Sequence, residues 1–225
     1  MSVEPQLFLL IWGTLVGLDL VSIPQMMIAR PLVAGAVAGG ILGDATTGIM
    51  IGALFELFQF DILPVGAVRY PEYGPATVAA VSAAHAIPGV LGFGLGALVG
   101  LVTGLIGGES LHRLRRITTR AVQRAAEPLE RGDVRVLMRV HATAILRDGV
   151  RAALVTAVGL VLAQAARSVL AIAVSPRGAG LLGAAAVAAA LAAGSSGTYR
   201  LVGRGPALRW FALGLCGGAV VTWLR

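Results

Sequence analysis

The sequence has no lysine and a single cysteine, and Asp, Glu and Arg together make up only 13% of its 225 residues. Each shortage excludes something. A lone Cys216 forms no intrachain disulfide and no cysteine metal site, and inside its apolar run it reads as a small buried residue. Without lysine there is no P-loop, and the glycines sit in apolar runs rather than after a strand. A soluble domain of this length needs a charged surface that 13% does not supply. No soluble catalytic domain is visible, so no catalytic residue, metal or cofactor is expected.

What is present is apolar. Hydrophobic residues make up 57% of the chain, and the mean hydropathy is +0.85. The fold class that follows is all-α, a polytopic integral membrane protein. The net charge of +7 is carried by arginines that cluster in one segment between apolar runs. That clustering argues for membrane orientation and against nucleic-acid binding.

A spanning helix needs about 20 apolar residues. About six segments qualify: Gln6–Ile28, Pro31–Phe60, Pro75–Gly108, Gly149–Val174, Gly178–Tyr199 and the shorter Pro206–Leu224. The first carries Glu4 where a signal peptide would be basic, and no Ala-x-Ala site follows, so a retained helix is expected. Pro31–Phe60 is 30 residues, about 45 Å as a straight helix against a hydrocarbon core of about 30 Å. Pro75–Gly108 is longer and has Pro88-Gly89 in its middle. Both are expected to be broken or re-entrant helices, tolerated at membrane depth where buried in protein or lining a cavity. The Ala/Gly-rich Gly178–Gly197 stretch reads as a packing helix.

The chain reads as one membrane domain in three parts: a membrane part over 6–108, an amphipathic basic loop over 109–148, and a second membrane part over 149–225. Ten arginines lie from Arg113 to Arg151, while Leu111, Leu114, Ile117, Ala121, Val122 and Ala125 recur at helical spacing. An amphipathic basic helix is predicted, interrupted by "EPLERGD". The arginine excess places this loop in the cytoplasm, and Arg200, Arg204 and Arg209 on a later link agree with that orientation. The loop reads either as a helix lying on anionic membrane lipid or as a docking surface for cytoplasmic partners.

The segment "RPLVAGAVAGGILGDATTGIMIGALFELFQF", Arg30–Phe60, holds the residues most able to carry chemistry. Gly35, Gly39 and Gly43 recur every four residues, as do Gly48 and Gly52, which suits close helix packing. Gly39-Gly40 and Gly43 also permit a break. Asp44 and Glu56 are costly at membrane depth and normally face a wet cavity or bundle interior. A sugar hydroxyl suits either carboxylate. Asp44 also suits the N-cap of a half-helix starting at "DATTG", and Glu56 an interfacial position. Asp19, within the first apolar run, and Gln25 and Arg30, flanking its end, are further candidates, and Arg30 is able to pair with a carboxylate. His85 reads as a packing or site residue, and His112 and His141 as solvated or interfacial.

The pattern Gly39-x3-Gly43-Asp44-x3-Gly48-Ile49-Met50-x-Gly52, ending at Glu56, resembles the signature of the mannose/fructose/sorbose-type IIC component of the phosphotransferase system (PTS). "RPLVAG" before it and Gly66-Ala67 after it resemble the family too, as do the size and the central basic loop. The sequence departs from the pattern at Ala53, where a second glycine is usual, and at Leu54 and Phe55. It departs also at Pro64, where family members often carry Asn, and at Asp61, where a small residue is common. The resemblance implies a sugar-translocating subunit in the bacterial inner membrane. It implies a IID membrane partner, oligomers of IIC–IID units, a cytoplasmic IIA/IIB phosphocarrier that phosphorylates the emerging sugar, and a hexose-type substrate. It implies no enzymatic residue on this chain. A non-transporting scaffold or regulatory remnant, or an unrelated secondary transporter, are the alternatives, the remnant motivated by Pro64 and Asp61.

Overall fold

The computed structural model describes residues 3–60, 62, 68–85, 87, 89–173, 175–202, 209, 210, 213, 214 and 216. The described residues form helices and no strand: α1 (Val3–Asp19), α2 (Pro31–Ile41), α3 (Ala45–Gln59), α4 (Tyr73–His85), α5 (Gly89–Arg124), α6 (Ala126–Glu130), α7 (Val134–Ala173) and α8 (Pro176–Val202). Asp61, Pro64, Gly66, Ala67 and Pro88 lie outside the described residues, as does most of Pro206–Leu224.

Both long apolar segments break. Pro31–Phe60 is a helical hairpin. Pro31 opens α2 at a position where its missing N–H costs nothing. The arm ends where Asp44 N donates to Gly39 O (2.8 Å) and Gly43 N to Gly40 O (3.1 Å), a Schellman closure whose left-handed residue is Gly43, φ +72°. The arms of 11 and 15 residues are about 16 and 22 Å long, each short of the roughly 30 Å hydrocarbon thickness. They pack backbone to backbone. A Cβ on Gly48 would lie 2.4 Å from Gly35 O, and one on Gly39 would lie 2.7 Å from Gly48 Cα. The glycine spacing therefore serves packing at Gly35, Gly39, Gly48 and Gly52, and the break at Gly43.

Pro75–Gly108 breaks at Gly89, φ +74°, into α4 and α5. Every residue of α4 from Tyr73 to Ala84 is buried. It fits against a second glycine stripe on α5: a Cβ would lie 2.7 Å from Ala80 O at Gly96, 2.9 Å from Ala80 Cβ at Gly100 and 3.5 Å from Ala76 Cβ at Gly104. Phe55, Phe58 and Tyr73 pack with ring centroids 5.6–5.9 Å apart and join α3 to α4. Trp12 Nε1 donates to Ala34 O (3.0 Å) and ties α1 to α2.

The basic stretch is not a loop set apart from the membrane helices. Positions 108–109 and 148–149 are mid-helix, because α5 runs unbroken to Arg124 and α7 starts at Val134. These helices of 36 and 40 residues are about 54 and 60 Å long, so each reaches well past a hydrocarbon core. The expected interruption at "EPLERGD" contains the short α6, then Gly132 at φ +78°. Asp133 caps α7, its Oδ1 accepting from Arg135 N (2.9 Å) and Val136 N (3.2 Å). Cys216 is exposed rather than buried. A small apolar group turned toward lipid carries little penalty, because lipid tails are as apolar as the interior.

Candidate functional site

The hairpin α2–α3 has a polar group at each end. At the tip, Asp44 caps α3, its Oδ1 accepting from Thr47 N (3.1 Å). Its Oδ2 lies 3.2 Å from His85 Nδ1 at the end of α4, so the tip of one broken segment meets the break of the other. Both side chains are about one-third exposed. They border a cavity of about 1110 Å³ whose remaining wall is largely apolar, including Met50, Phe93, Val187 and Leu191.

At the open end, Glu56 reaches from α3 to the start of α2. Its Oε2 accepts from Leu32 N (3.1 Å), satisfying an orphan N–H that Arg30, at the N-cap position, does not. Its Oε1 pairs with the Arg30 guanidinium. Arg30 also stands over the Phe60 ring, 6.0 Å from its centroid. The Arg30 side chain is 44% exposed and that of Glu56 13%, so the pair is reachable but shielded.

The link from α1 to α2 completes this end. Asp19 is buried, and its two oxygens accept from Met26 N (2.6 Å) and Ala29 N (2.9 Å). On either side of Met26, Gln25 (φ +60°) and Met27 (φ +64°) hold left-handed backbone that costs a non-glycine residue of order 1 kcal/mol. Such strain persists where surrounding contacts over-determine it, and the Asp19 carboxylate supplies two of them. Gln25, Met26 and Met27 are exposed.

Of the residues singled out in the sequence, Asp19, Gln25, Arg30 and Glu56 are joined at one end through these bonds and short covalent links. Asp44 is not among them. Twelve residues of helix separate it from Glu56, about 18 Å, so one hexose does not touch both carboxylates. His85 is paired with Asp44, His112 is half-buried and His141 exposed.

Sequence reasoning missed a buried ion cluster. Arg151 forks onto Glu72 through Nη1 and through Nη2 (2.9 Å), and donates Nε to Asp148 (2.8 Å). Ser22 donates to the other oxygen of Asp148, and Gly17 O and Ser110 Oγ lie 3.4 Å from the guanidinium. Glu72 is wholly buried, Asp148 and Arg151 nearly so. The group joins α1, the start of α4, α5 and α7. By sequence alone Arg151 groups with the loop arginines. The available signal was its position three residues after Asp148, inside the apolar run.

The family of PTS sorbose-specific IIC components matches residues 5–216. The chain is 29% identical over 153 residues to the PTS sorbose-specific EIIC component of Lacticaseibacillus casei, covering 68% of this chain and 54% of that protein. It is 32% identical over 126 residues to the sorbose-specific EIIC component of Klebsiella pneumoniae, covering 56% and 46%. The chain thus spans about half the length of the curated relatives it matches. A cryo-EM structure of the mannose transporter ManYZ with microcin E492 shares the fold, with a TM-score of 0.60 at 19% identity over 97% of this chain and 87% of that one.

Proposed function

This chain belongs to the sorbose-specific IIC family of the phosphotransferase system, and from that premise we propose that it is a sugar-translocating membrane subunit. It binds a hexose-type sugar at the open end of the α2–α3 hairpin and passes it to the cytoplasmic side. There a separate IIB phosphocarrier, charged by IIA, phosphorylates the sugar. A IID membrane subunit completes the path, in oligomers of IIC–IID units in a bacterial inner membrane.

The observation that carries this reading is the Arg30–Glu56 pair beside Phe60 and the Asp19-anchored link. A sugar hydroxyl both donates and accepts. A carboxylate accepts its O–H hydrogen bond while a guanidinium donates to its lone pairs, and Gln25 on the link offers both functions. An aromatic face suits the apolar C–H side of a sugar ring. Orientation supports the direction of travel. Phe55 and Phe58 pack on Tyr73 at the start of α4, and Glu72 N donates to Gly104 O. The Glu56 end therefore lies toward the arginine-rich half of α5, which the positive-inside tendency assigns to the cytoplasm. The Asp44–His85 tip lies toward the start of α5, away from those arginines. Asp44 is assigned the turn and the tip contact, with no share in the same sugar.

The test is uptake and equilibrium binding of a hexose panel by membranes containing this chain with its partner subunits. Glu56→Gln is expected to lower binding and uptake at least about tenfold, since it removes a charge-assisted bond of about 1.5–3 kcal/mol, while insertion stays unchanged and the melting temperature falls only slightly, because the Gln carbonyl still accepts from Leu32 N. Asp44→Asn is expected to have the smaller effect. Full uptake by Glu56→Gln would remove the assignment. No saturable hexose binding by the wild-type assembly would favour the non-transporting scaffold, which the departures at Asp61 and Pro64 motivate.

A further inference from the structure

We propose that the groove between α5 and α7 is a binding site for an anionic membrane lipid, its phosphate between Arg113 and Arg147 and an acyl chain along the apolar wall beside them. The groove has a volume of about 1060 Å³ and lies apart from both ends of the α2–α3 hairpin. Where α5 and α7 meet tightly, a Cβ on Gly159 would lie 2.8 Å from Thr103 Cγ2. Beyond that contact, Leu105, Val150, Leu154 and Val158 line the groove with 43% to 63% of their surface uncovered. These side chains belong against hydrocarbon.

The charge pattern selects the occupant. Going along α5 from Gly89, Arg113 is the first arginine; going along α7 from its apolar end, Arg147 is the first exposed one after Arg167. Both line the same groove, so two cations from separate helices stand together where apolar surface gives way to basic surface. That is the depth of a headgroup. Arg113 donates Nε to Glu109 (3.0 Å), which also lines the groove and whose other oxygen stands 3.6 Å from Arg69 Nη1, so one carboxylate is shared between two guanidiniums, a positive charge remains, and the terminal nitrogens of Arg113 stay uncommitted. Arg147 has no partner among the described residues. A guanidinium pair suits phosphate by charge and by its forked geometry. Arg151, at the groove floor, is already neutralised by Glu72 and Asp148 and is not counted. A soluble anion would leave the apolar wall unexplained, and a neutral lipid would leave the arginines unexplained.

The experiment is native mass spectrometry of the full chain, purified in mild detergent and titrated with phosphatidylglycerol or phosphatidylcholine of matched chains. Preferential retention of phosphatidylglycerol is expected. Arg113→Gln with Arg147→Gln should lower that retention about tenfold or more, and Leu154→Trp, which fills the groove, should lower retention of both lipids. Arg135→Gln with Arg139→Gln, farther along α7, should leave it unchanged, and all variants should keep the wild-type melting temperature. Equal retention of the two lipids, or an equal loss from the distal pair, would overturn the proposal. So would displacement of phosphatidylglycerol by inorganic phosphate, or its complete exclusion when the chain is purified with a second membrane subunit. Persistence of the lipid in that complex supports it.

Discussion

The α2–α3 hairpin and the α5–α7 pair are both antiparallel helix pairs, and they are held in opposite ways. In the hairpin, Gly35 and Gly39 lie against Gly48 and Gly52 with backbone atoms in contact, and a carboxylate seals each end. Between α5 and α7 the close approach is backbone to side chain, at Gly159 and the Thr103 methyl. Farther on, Arg151 of α7, held also by Asp148, pairs with Glu72, whose own N–H donates to Gly104 O of α5, and a groove stays open. Both solutions answer one constraint. Within lipid, hydrophobicity gives little drive for one apolar helix to join another, so close packing or polar contact must do it. The hairpin uses dispersion at short range and leaves no room for a ligand between its arms. The longer pair uses charge at a few points and leaves room beside it.

The largest expected break in this comparison is at the ions. Arg151→Leu strands Glu72 and Asp148 and should cost about 3–5 kcal/mol, read as reversible unfolding in mixed detergent–SDS micelles. Adding Glu72→Gln should restore part of that loss. If the double variant is as unstable as the sum of the singles, the ions do not act as a pair. Gly48→Val comes next. Its side chain would strike the backbone of α2, and overpacking of about 3 kcal/mol is expected, measured the same way. Asp44→Ala removes a helix cap and should cost about 1 kcal/mol, while Asp44→Ser should retain most of the stability. The smallest effect belongs to the groove wall. Leu154→Ala leaves lipid to fill the space and should stay within about 0.5 kcal/mol, which would separate a lipid-facing wall from a packed core.

Much of this was legible in the sequence, for local reasons. Thirty apolar residues exceed one crossing, and Gly43-Asp44 supplies a left-handed residue followed by a cap, so the turn of the hairpin follows. The small-residue spacing gives the packing face. Gly89 marks the second break in the same way. Arg30 in the sequence suits pairing with a carboxylate, and Glu56 is that carboxylate. What could not be read depends on distant pairing. Arg151 and Glu72 are 79 residues apart, and each resembles its neighbours: one an arginine-rich stretch, the other the turn-like "RYPEYGP". The separation of Asp44 from Glu56 was hidden for a different reason. Nearness in sequence suggested one site, but a helix turns twelve residues into a strut. The basic stretch was legible as helix yet not as a continuation of α5 and α7, because a change in polarity along a helix resembles a boundary.

The bond from Trp12 to Ala34 has a spectroscopic consequence. The chain has three tryptophans, and Trp12 alone of them hydrogen-bonds across the α1–α2 contact among the described residues. With Trp210 and Trp223 replaced by phenylalanine, the indole at position 12 becomes a single intrinsic fluorophore set where the hairpin meets its neighbour. Its emission reads the hairpin's position without an attached dye, and a hexose titration followed at that wavelength registers any sliding of α2 against α1 as the sugar is taken up.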